Sequence, residues 1–322
     1  MAHCPPPAGW NCRPHLAHVN GMLIAASRAE DPLGPLGESI VAFAGAILDP
    51  MRALVTFIAA LLLASAGGAR EWQPDGWLRR LQDVAAAREH RPVRLALVSN
   101  ADADWEATSD YGFREVLRDP VARARVFAPG SMGYTFIPPR PKPVSVFVNR
   151  ERVQPALVRL VAAHELGHVL LHARGYLQLV VMPGSPDEPL LADSFNAVQD
   201  VLLERELLAL HVDSQPLLVQ QLVDVTRAVS LVGAGGAVPD KGRLNTSHLA
   251  TMVTPLLLGV KDMDAARQAL RARLPRDVAA LVTRYSAVLS RPINTPAAYQ
   301  QVIYSACEAN GIPRARARFA DD

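Results

Sequence analysis

Between residues 70 and 150 the chain contains one amphipathic stretch and several short apolar runs. Residues 77–88 place apolar side chains three and four positions apart, which predicts a helix with one buried face. Residues 93–99, 134–137 and 144–149 are short runs rich in valine and other strand-forming residues. We therefore expect a helix and a small β-sheet in this part of the chain.

From residue 150 onward the apolar positions follow a helical period. Candidate helices cover residues 192–212, 216–229, 248–258, 263–274, 277–289 and 297–310. A small sheet followed by helices predicts an α+β fold. We divide the body at the glycine-rich residues 233–236 into a domain at 70–230 and a helical C-terminal region at 237–322. That region either packs against the first domain or forms a separate cap.

Residues 51–69 have the layout of a secretory signal peptide. Met51 and Arg52 precede an apolar run, which is followed by small residues. Because signal peptides stand at the N-terminus, we expect Met51 to be the true start and residues 1–50 to be an upstream extension or leader. The alternative is a membrane anchor through residues 40–66, although the apolar run is shorter than the about 20 residues of a spanning helix. Both interpretations predict export to the periplasm or the medium.

Charge and cysteine content narrow the classes of partner and fold. The formal net charge is +2 over 322 residues, which gives no indication of a nucleic-acid partner. Cys307 is the only cysteine after the predicted leader, so the body has neither an internal disulfide nor a cysteine zinc finger. We therefore expect the apolar core alone to hold the domain together.

The strongest chemical signal is an H-E-x-x-H motif in an apolar, helix-forming stretch. A helix places residues four apart on one face, so His164 and His168 can bind a single ion. Glu165 lies beside them, where it can take a proton from water. Gly167 costs about 1 kcal/mol of helix propensity relative to alanine, which indicates that another segment packs closely there. Buried histidines and a glutamate without partners are costly, so a metal site is favoured over a plain core helix.

A catalytic zinc ion takes three protein ligands, so the motif requires a third from elsewhere. On the next predicted long helix, Asn196, Asp200 and Glu204 recur every four residues and form one polar stripe. Such a stripe is also typical of a surface that faces solvent. We choose Asp200 as the third ligand, with Glu204 and then Asp193 as alternatives, and expect a carboxylate that does not bind metal to support a ligand imidazole. His172 lies too far along the motif helix to share the ion and is expected in the core or beside a ligand.

The motif in its helical context resembles the zincin metallopeptidases of the gluzincin type, whose third ligand is an acidic residue on a downstream helix. The string from His164 to His172 is also similar to the ImmA/IrrE-type metallopeptidases. The resemblance extends over about residues 144–206. It implies that residues 70–230 form a zincin-like domain that binds zinc (Zn2+) and hydrolyses peptide bonds.

Two departures refine this resemblance. Leu171 and Arg174 stand where the metzincin extension of the motif needs glycine and histidine, which removes that subclass. Gluzincins typically carry Glu-x-x-x-Asp on the second helix, whereas this chain carries Asn196 and Asp200 at that spacing.

These residues predict an enzyme, a zinc metallopeptidase that acts on a peptide or protein substrate. Glu165 would serve as general base for a metal-activated water and then protonate the leaving amine. Tyr176, Tyr134 and His211 are the candidate donors to the oxyanion. The alternatives are a catalytically silent metal-binding regulatory module and a zinc hydrolase of a non-peptide amide in the cell envelope.

Overall fold

The computed structural model describes residues 70–100, 111–119, 123–124, 126–127, 131–177, 179–180, 187–233, 242–259 and 263–319. The predicted upstream extension at residues 1–50 and the predicted signal peptide or anchor at 51–69 lie outside the described residues. Among the residues that are described, no helix is both long enough and apolar enough to cross a bilayer.

The first part of the described chain builds a four-stranded mixed sheet with two helices. The elements in chain order are β1 (Arg70–Glu71), α1 (Gly76–Glu89), β2 (Val93–Val98), α2 (Tyr111–Leu117), β3 (Gly133–Phe136) and β4 (Val144–Asn149). The strand order is β1-β2-β4-β3, so β3 lies at an edge. Strand β4 pairs parallel to β2 and antiparallel to β3, with Thr135 opposite Val146. All six residues of β4 are buried, which explains why it lacks the polar alternation of a half-exposed strand.

The rest of the described chain is mostly helical. Helix α3 (Val158–Ala173) carries the H-E-x-x-H motif and is buried continuously from Val161 to Leu171. It packs against α1, β3 and β4 on the sheet side. The helices that follow are α4 (Glu188–Ala209), α5 (Gln215–Gly233), α6 (Gly242–Gly259), α7 (Asp264–Arg273), α8 (Arg276–Leu289) and α9 (Pro296–Ala309).

Helix α4 is the centre of the helical part. It packs against α3 on one side and against α6, α8 and α9 on others. The C-terminal helices therefore pack on the same helix that lies beside the motif. A two-stranded sheet also joins the segment after α3 to the C-terminal end of the described chain. In it β5 (Leu179–Val180) pairs with β6 (Arg318–Phe319).

The predicted α+β fold class is confirmed, and each predicted strand and helix is present with ends shifted by a few residues. Helix α4 begins at Glu188 rather than at residue 192, because Pro189 fits the first turn of a helix. Helix α6 begins at Gly242 rather than at residue 248. The pattern did not predict β1, β5 and β6, because two residues are too few to show a period, nor the seven-residue α2.

Candidate metal centre

The two motif histidines meet one carboxylate where α3 and α4 pack together. One ligand atom from each of His164, His168 and Asp200 lies within 4.8 Å of the other two. Nε2 of His164 is 3.8 Å from Oδ1 of Asp200, and the two imidazole rings are 5.2 Å apart and nearly perpendicular. This group could therefore hold a metal ion.

The composition and burial of the group fit a transition metal. Two imidazoles and one carboxylate form a donor set that catalytic zinc sites use, and the His164–Asp200 separation is close to the roughly 3.3 Å edge of a tetrahedron with 2.0–2.1 Å bonds. The side chain of His164 is 5% exposed and that of Asp200 is 18% exposed. The site is thus largely closed to solvent at the histidines and more open at the carboxylate.

Glu165 is held beside this group by the edge strand. The hydroxyl of Thr135 on β3 lies 2.7 Å from Oε2 of Glu165 and donates to it. The other oxygen, Oε1, is buried and has no hydrogen-bond partner among the described residues. Gly133, two positions earlier on β3, allows this approach, because a Cβ there would lie 2.6 Å from Oε1 of Glu165. The strand thus orients one carboxylate oxygen and leaves room for the other.

The electrostatics of the site favour a cation. Burial alone lowers the pKa of His164, but contact with Glu204 and the negative charges of Asp200 and Glu165 outweigh it and raise the pKa to about 9. Burial raises the pKa of Glu165 to about 7, against the opposing effects of His164 and the Thr135 hydrogen bond. Several carboxylates around one buried imidazole create the negative potential that a bound cation would neutralise.

The alternative ligands lie elsewhere on α4. Oε1 of Glu204 is 3.7 Å from Nδ1 of His164, on the nitrogen that does not face Asp200, and Ser214 donates a hydrogen bond to Oε2 of Glu204. Glu204 therefore lies behind the ligand imidazole, as a supporting carboxylate would. Asp193 contacts His248 of α6 at 3.4 Å instead.

The polar stripe on α4 is buried at Asn196 and Glu204 and partly open to solvent at Asp200. Asn196 is 2% exposed, and its Oδ1 has no hydrogen-bond partner among the described residues. Glu204 is also buried, and its Oε1 accepts no hydrogen bond from the described chain. Buried oxygens without donors are costly unless something else satisfies them, and at Glu204 the positive charge of an ion bound beside His164 would supply that compensation.

His172 lies outside the group, as expected from its position one turn further along α3. Its Nδ1 is 2.5 Å from Oε1 of Glu89, a fully buried residue at the end of α1. Arg91 contacts the other oxygen of Glu89 at 3.1 Å. Burial raises the pKa of Glu89, but the hydrogen bonds and charges of His172 and Arg91 outweigh it and hold the pKa below the usual value. This cluster fixes α1 against the C-terminal end of α3.

The three candidate oxyanion donors have different surroundings in the structure. The hydroxyl of Tyr176 donates to the carbonyl of Ile293 at 3.0 Å. Tyr134 lies between two β3 residues that face Glu165, so its side chain extends from the opposite face of the sheet. His211 is exposed at the end of α4, beside a cavity of about 450 Å³ that is also lined by Glu204.

Two residues at the site were not predicted from the pattern. Thr135 was part of a predicted strand, but nothing in the sequence connects it with Glu165, 30 positions later. Gln199 contacts Nδ1 of His168 at 3.4 Å through its side-chain oxygen. Its position directly before Asp200 is the only available signal, and that signal is weak because adjacent helical residues point about 100° apart.

Comparisons with known protein families, curated proteins and solved structures found no match to this chain.

Proposed function

We propose that the protein is a zinc-dependent peptidase in which His164, His168 and Asp200 hold the ion and Glu165 is the general base. The observation that carries the proposal is the placement of Glu165 next to the three donors, with one oxygen held by Thr135 and the other without a hydrogen-bond partner among the described residues. A structural metal site needs no base, and it closes its fourth position with a protein ligand.

When bound, zinc would supply Lewis acidity that lowers the pKa of a water molecule to about 7. Side chains of the protein would carry out the proton transfers. Oε1 of Glu165 would accept a proton from that water and deliver it to the leaving amine. Thr135 would keep the carboxylate in position during both transfers. The edge strand β3, which contacts Glu165, supports a peptide substrate, because an extended peptide can align along a sheet edge.

The test compares wild type with Glu165→Gln in a digest of a peptide library, read by mass spectrometry, with zinc content measured on the same preparations. We expect Glu165→Gln to retain zinc and to lose turnover by at least about 100-fold, the lower end of what general acid–base catalysis contributes. Removing the metal with a chelator should abolish cleavage, and adding zinc should restore it.

Glu206→Gln is the matched control, because Glu206 is a buried glutamate on the neighbouring helix α4 and is paired with Arg88 and Arg174 outside the metal group. It should keep both zinc and turnover. Cleavage by Glu165→Gln at the wild-type rate would show that the mechanism is wrong. Zinc binding by wild type without cleavage of any peptide would favour the regulatory module or a non-peptide amide substrate.

Export stays part of the proposal. N-terminal sequencing of the protein purified from whole cells and medium should give a start near Gly67 or Arg70, whereas an intact residue 1 or 2 in all of it would contradict export through a cleaved signal peptide.

A further inference from the structure

His168 has a defined partner on the nitrogen away from the metal. Its Nδ1 lies 3.4 Å from Oε1 of Gln199, whose side chain is buried on α4. An amide oxygen only accepts hydrogen bonds, so Nδ1 of His168 must donate. The ring proton is therefore on Nδ1, and Nε2 carries the lone pair that a metal ligand needs.

Whether this contact leaves Nε2 of His168 free to bind a metal depends on the orientation of the Gln199 amide. If the amide were turned around, its NH2 group would donate to Nδ1 of His168. The ring proton would then move to Nε2, and that nitrogen could not bind the metal. In the structure, Nε2 of Gln199 donates to the phenol oxygen of Tyr299 at 2.5 Å. In this orientation Tyr299, on α9, accepts the hydrogen bond at the far end of the amide.

Tyr299 is itself firmly positioned. Its ring is fully buried and stacks on Tyr176 with centroids 4.7 Å apart and planes within 4°. The edge of Phe319 packs against it at 6.2 Å. Tyr176 follows the motif helix, and Phe319 lies on β6, whose partner is β5. The ring is thus clamped between the segment after α3 and the C-terminal strand.

We propose that Gln199 and Tyr299 are positioning residues that keep His168 in its metal-binding tautomer. Helix α9 of the C-terminal helical region would thereby contribute to metal binding. The inference rests on the metal site of the proposed function and assigns a role to a region in which the sequence shows no chemistry. It does not require that the substrate be a peptide.

The test measures metal binding by the full chain without any substrate. The dissociation constant for Zn2+ is obtained by competition with a chromophoric chelator, and the absorption bands of bound Co2+ report the geometry of the ligands. Gln199→Leu removes the acceptor, whereas Gln199→Glu keeps an acceptor of the same length. Tyr299→Phe removes only the hydroxyl and keeps the stacked ring. Tyr176→Phe is the matched control, because it removes the other buried hydroxyl of the same stacked pair, which donates to a backbone carbonyl.

We expect Gln199→Leu to weaken Zn2+ binding by about 10–100-fold, the range found for removal of groups that support a ligand imidazole. Tyr299→Phe should weaken it in the same direction and change the Co2+ bands. Gln199→Glu should restore affinity, and Tyr176→Phe should leave it unchanged. A purely structural role predicts instead that all four variants lose thermal stability while the Zn2+ affinity and the Co2+ bands stay those of wild type.

The possible failures are distinguishable. Wild-type affinity in both Gln199→Leu and Tyr299→Phe would overturn the positioning role and leave the peptidase proposal intact. Tight Zn2+ binding by wild type without peptide cleavage would overturn the peptidase proposal. The Zn2+ affinities of the Gln199 and Tyr299 variants would then still test the positioning role. Absence of metal binding by wild type would overturn both.

Discussion

Helices α3 and α4 approach each other closely at Gly167, and substitution there tests the packing of the candidate site. A Cβ at this position would lie 2.5 Å from Cγ and 2.9 Å from Cδ1 of Leu203 on α4. Leu203 is fully buried, and Cγ is the branch point of its side chain, so it cannot move aside without disturbing its neighbours. Gly167→Ala should therefore force α3 and α4 apart.

The expected effect is a difference between two opposing contributions. Overpacking a core by one methyl group costs about 1–3 kcal/mol, whereas alanine is favoured over glycine in a helix by about 1 kcal/mol. Gly167→Ala should thus lower the free energy of unfolding by about 0–2 kcal/mol, and the Tm by up to about 8 °C for a domain of this size. Leu203→Ala alone should cost about 2–5 kcal/mol, because it leaves a cavity.

The decisive result is that the effect of Gly167→Ala on the free energy of unfolding changes sign between the wild-type and the Leu203→Ala protein. In the Leu203→Ala protein the added methyl group of Ala at position 167 meets space, so the helix propensity dominates and Gly167→Ala should stabilise by about 1 kcal/mol. Thermal unfolding of the metal-free proteins by circular dichroism measures all four members of this cycle. Gly259→Ala serves as the control, because a Cβ there makes only an ordinary 3.4 Å contact with Leu218.

A rise in Tm on Gly167→Ala in the wild-type background would refute this reasoning, because it would mean that α3 and α4 do not meet at this position. The same displacement would separate Asp200 from His164, so Zn2+ affinity should fall in Gly167→Ala and recover in the double variant.

Three further predictions concern the site and its support. Gly133→Ala should reduce peptide cleavage while zinc stays bound, because the new methyl group would displace Glu165; unchanged cleavage in a quantitative peptide assay would contradict this. Asp200→Ala should lower Zn2+ affinity more than Glu204→Ala, measured by chelator competition, and the reverse order would make Glu204 the ligand. Because the folded-state pKa of Glu89 is lowered, its contribution to stability is present above the unfolded pKa of about 4.3 and is lost as the pH falls through the folded pKa. The Tm difference between wild type and Glu89→Gln should accordingly shrink below about pH 4, and a difference that grows there would be evidence against the ion pairing.

The fold was largely predictable, because its main elements carry strong local patterns. The apolar runs at 93–99 and 144–149 have the length and composition of buried strands, and the predicted helices at 216–229, 263–274 and 277–289 are amphipathic. The close packing expected from Gly167 is also present, with Leu203 as the neighbour. The sequence pattern does not predict that two-residue segments such as β5 and β6 pair, because such short strands are stable only within the rest of the fold.

The candidate site was predictable where its residues share one helix and less so where they do not. His164 and His168 are recognisable from spacing alone, whereas Asp200 was the first choice among three acidic residues of the next helix, with Glu204 and Asp193 left open. In the sequence the stripe looks the same whether it faces solvent or the protein interior. Only the structure shows which of the two it faces. Tyr299 gave no signal, because a tyrosine on the apolar face of a helix has the same pattern as an ordinary core residue.

The hydrogen bond between Gln199 and Tyr299 joins residues 100 positions apart, which has a consequence for the order of events during synthesis. At about 5–20 residues per second, roughly 5–20 s separate the addition of Gln199 to the growing chain from that of Tyr299. During this interval α3 and α4 can already pair, but the amide beside His168 has no partner to orient it. If zinc binds to His164, His168 and Asp200 as proposed, its capture at full affinity would follow the synthesis of α9, and these side chains would bind the ion more weakly before then.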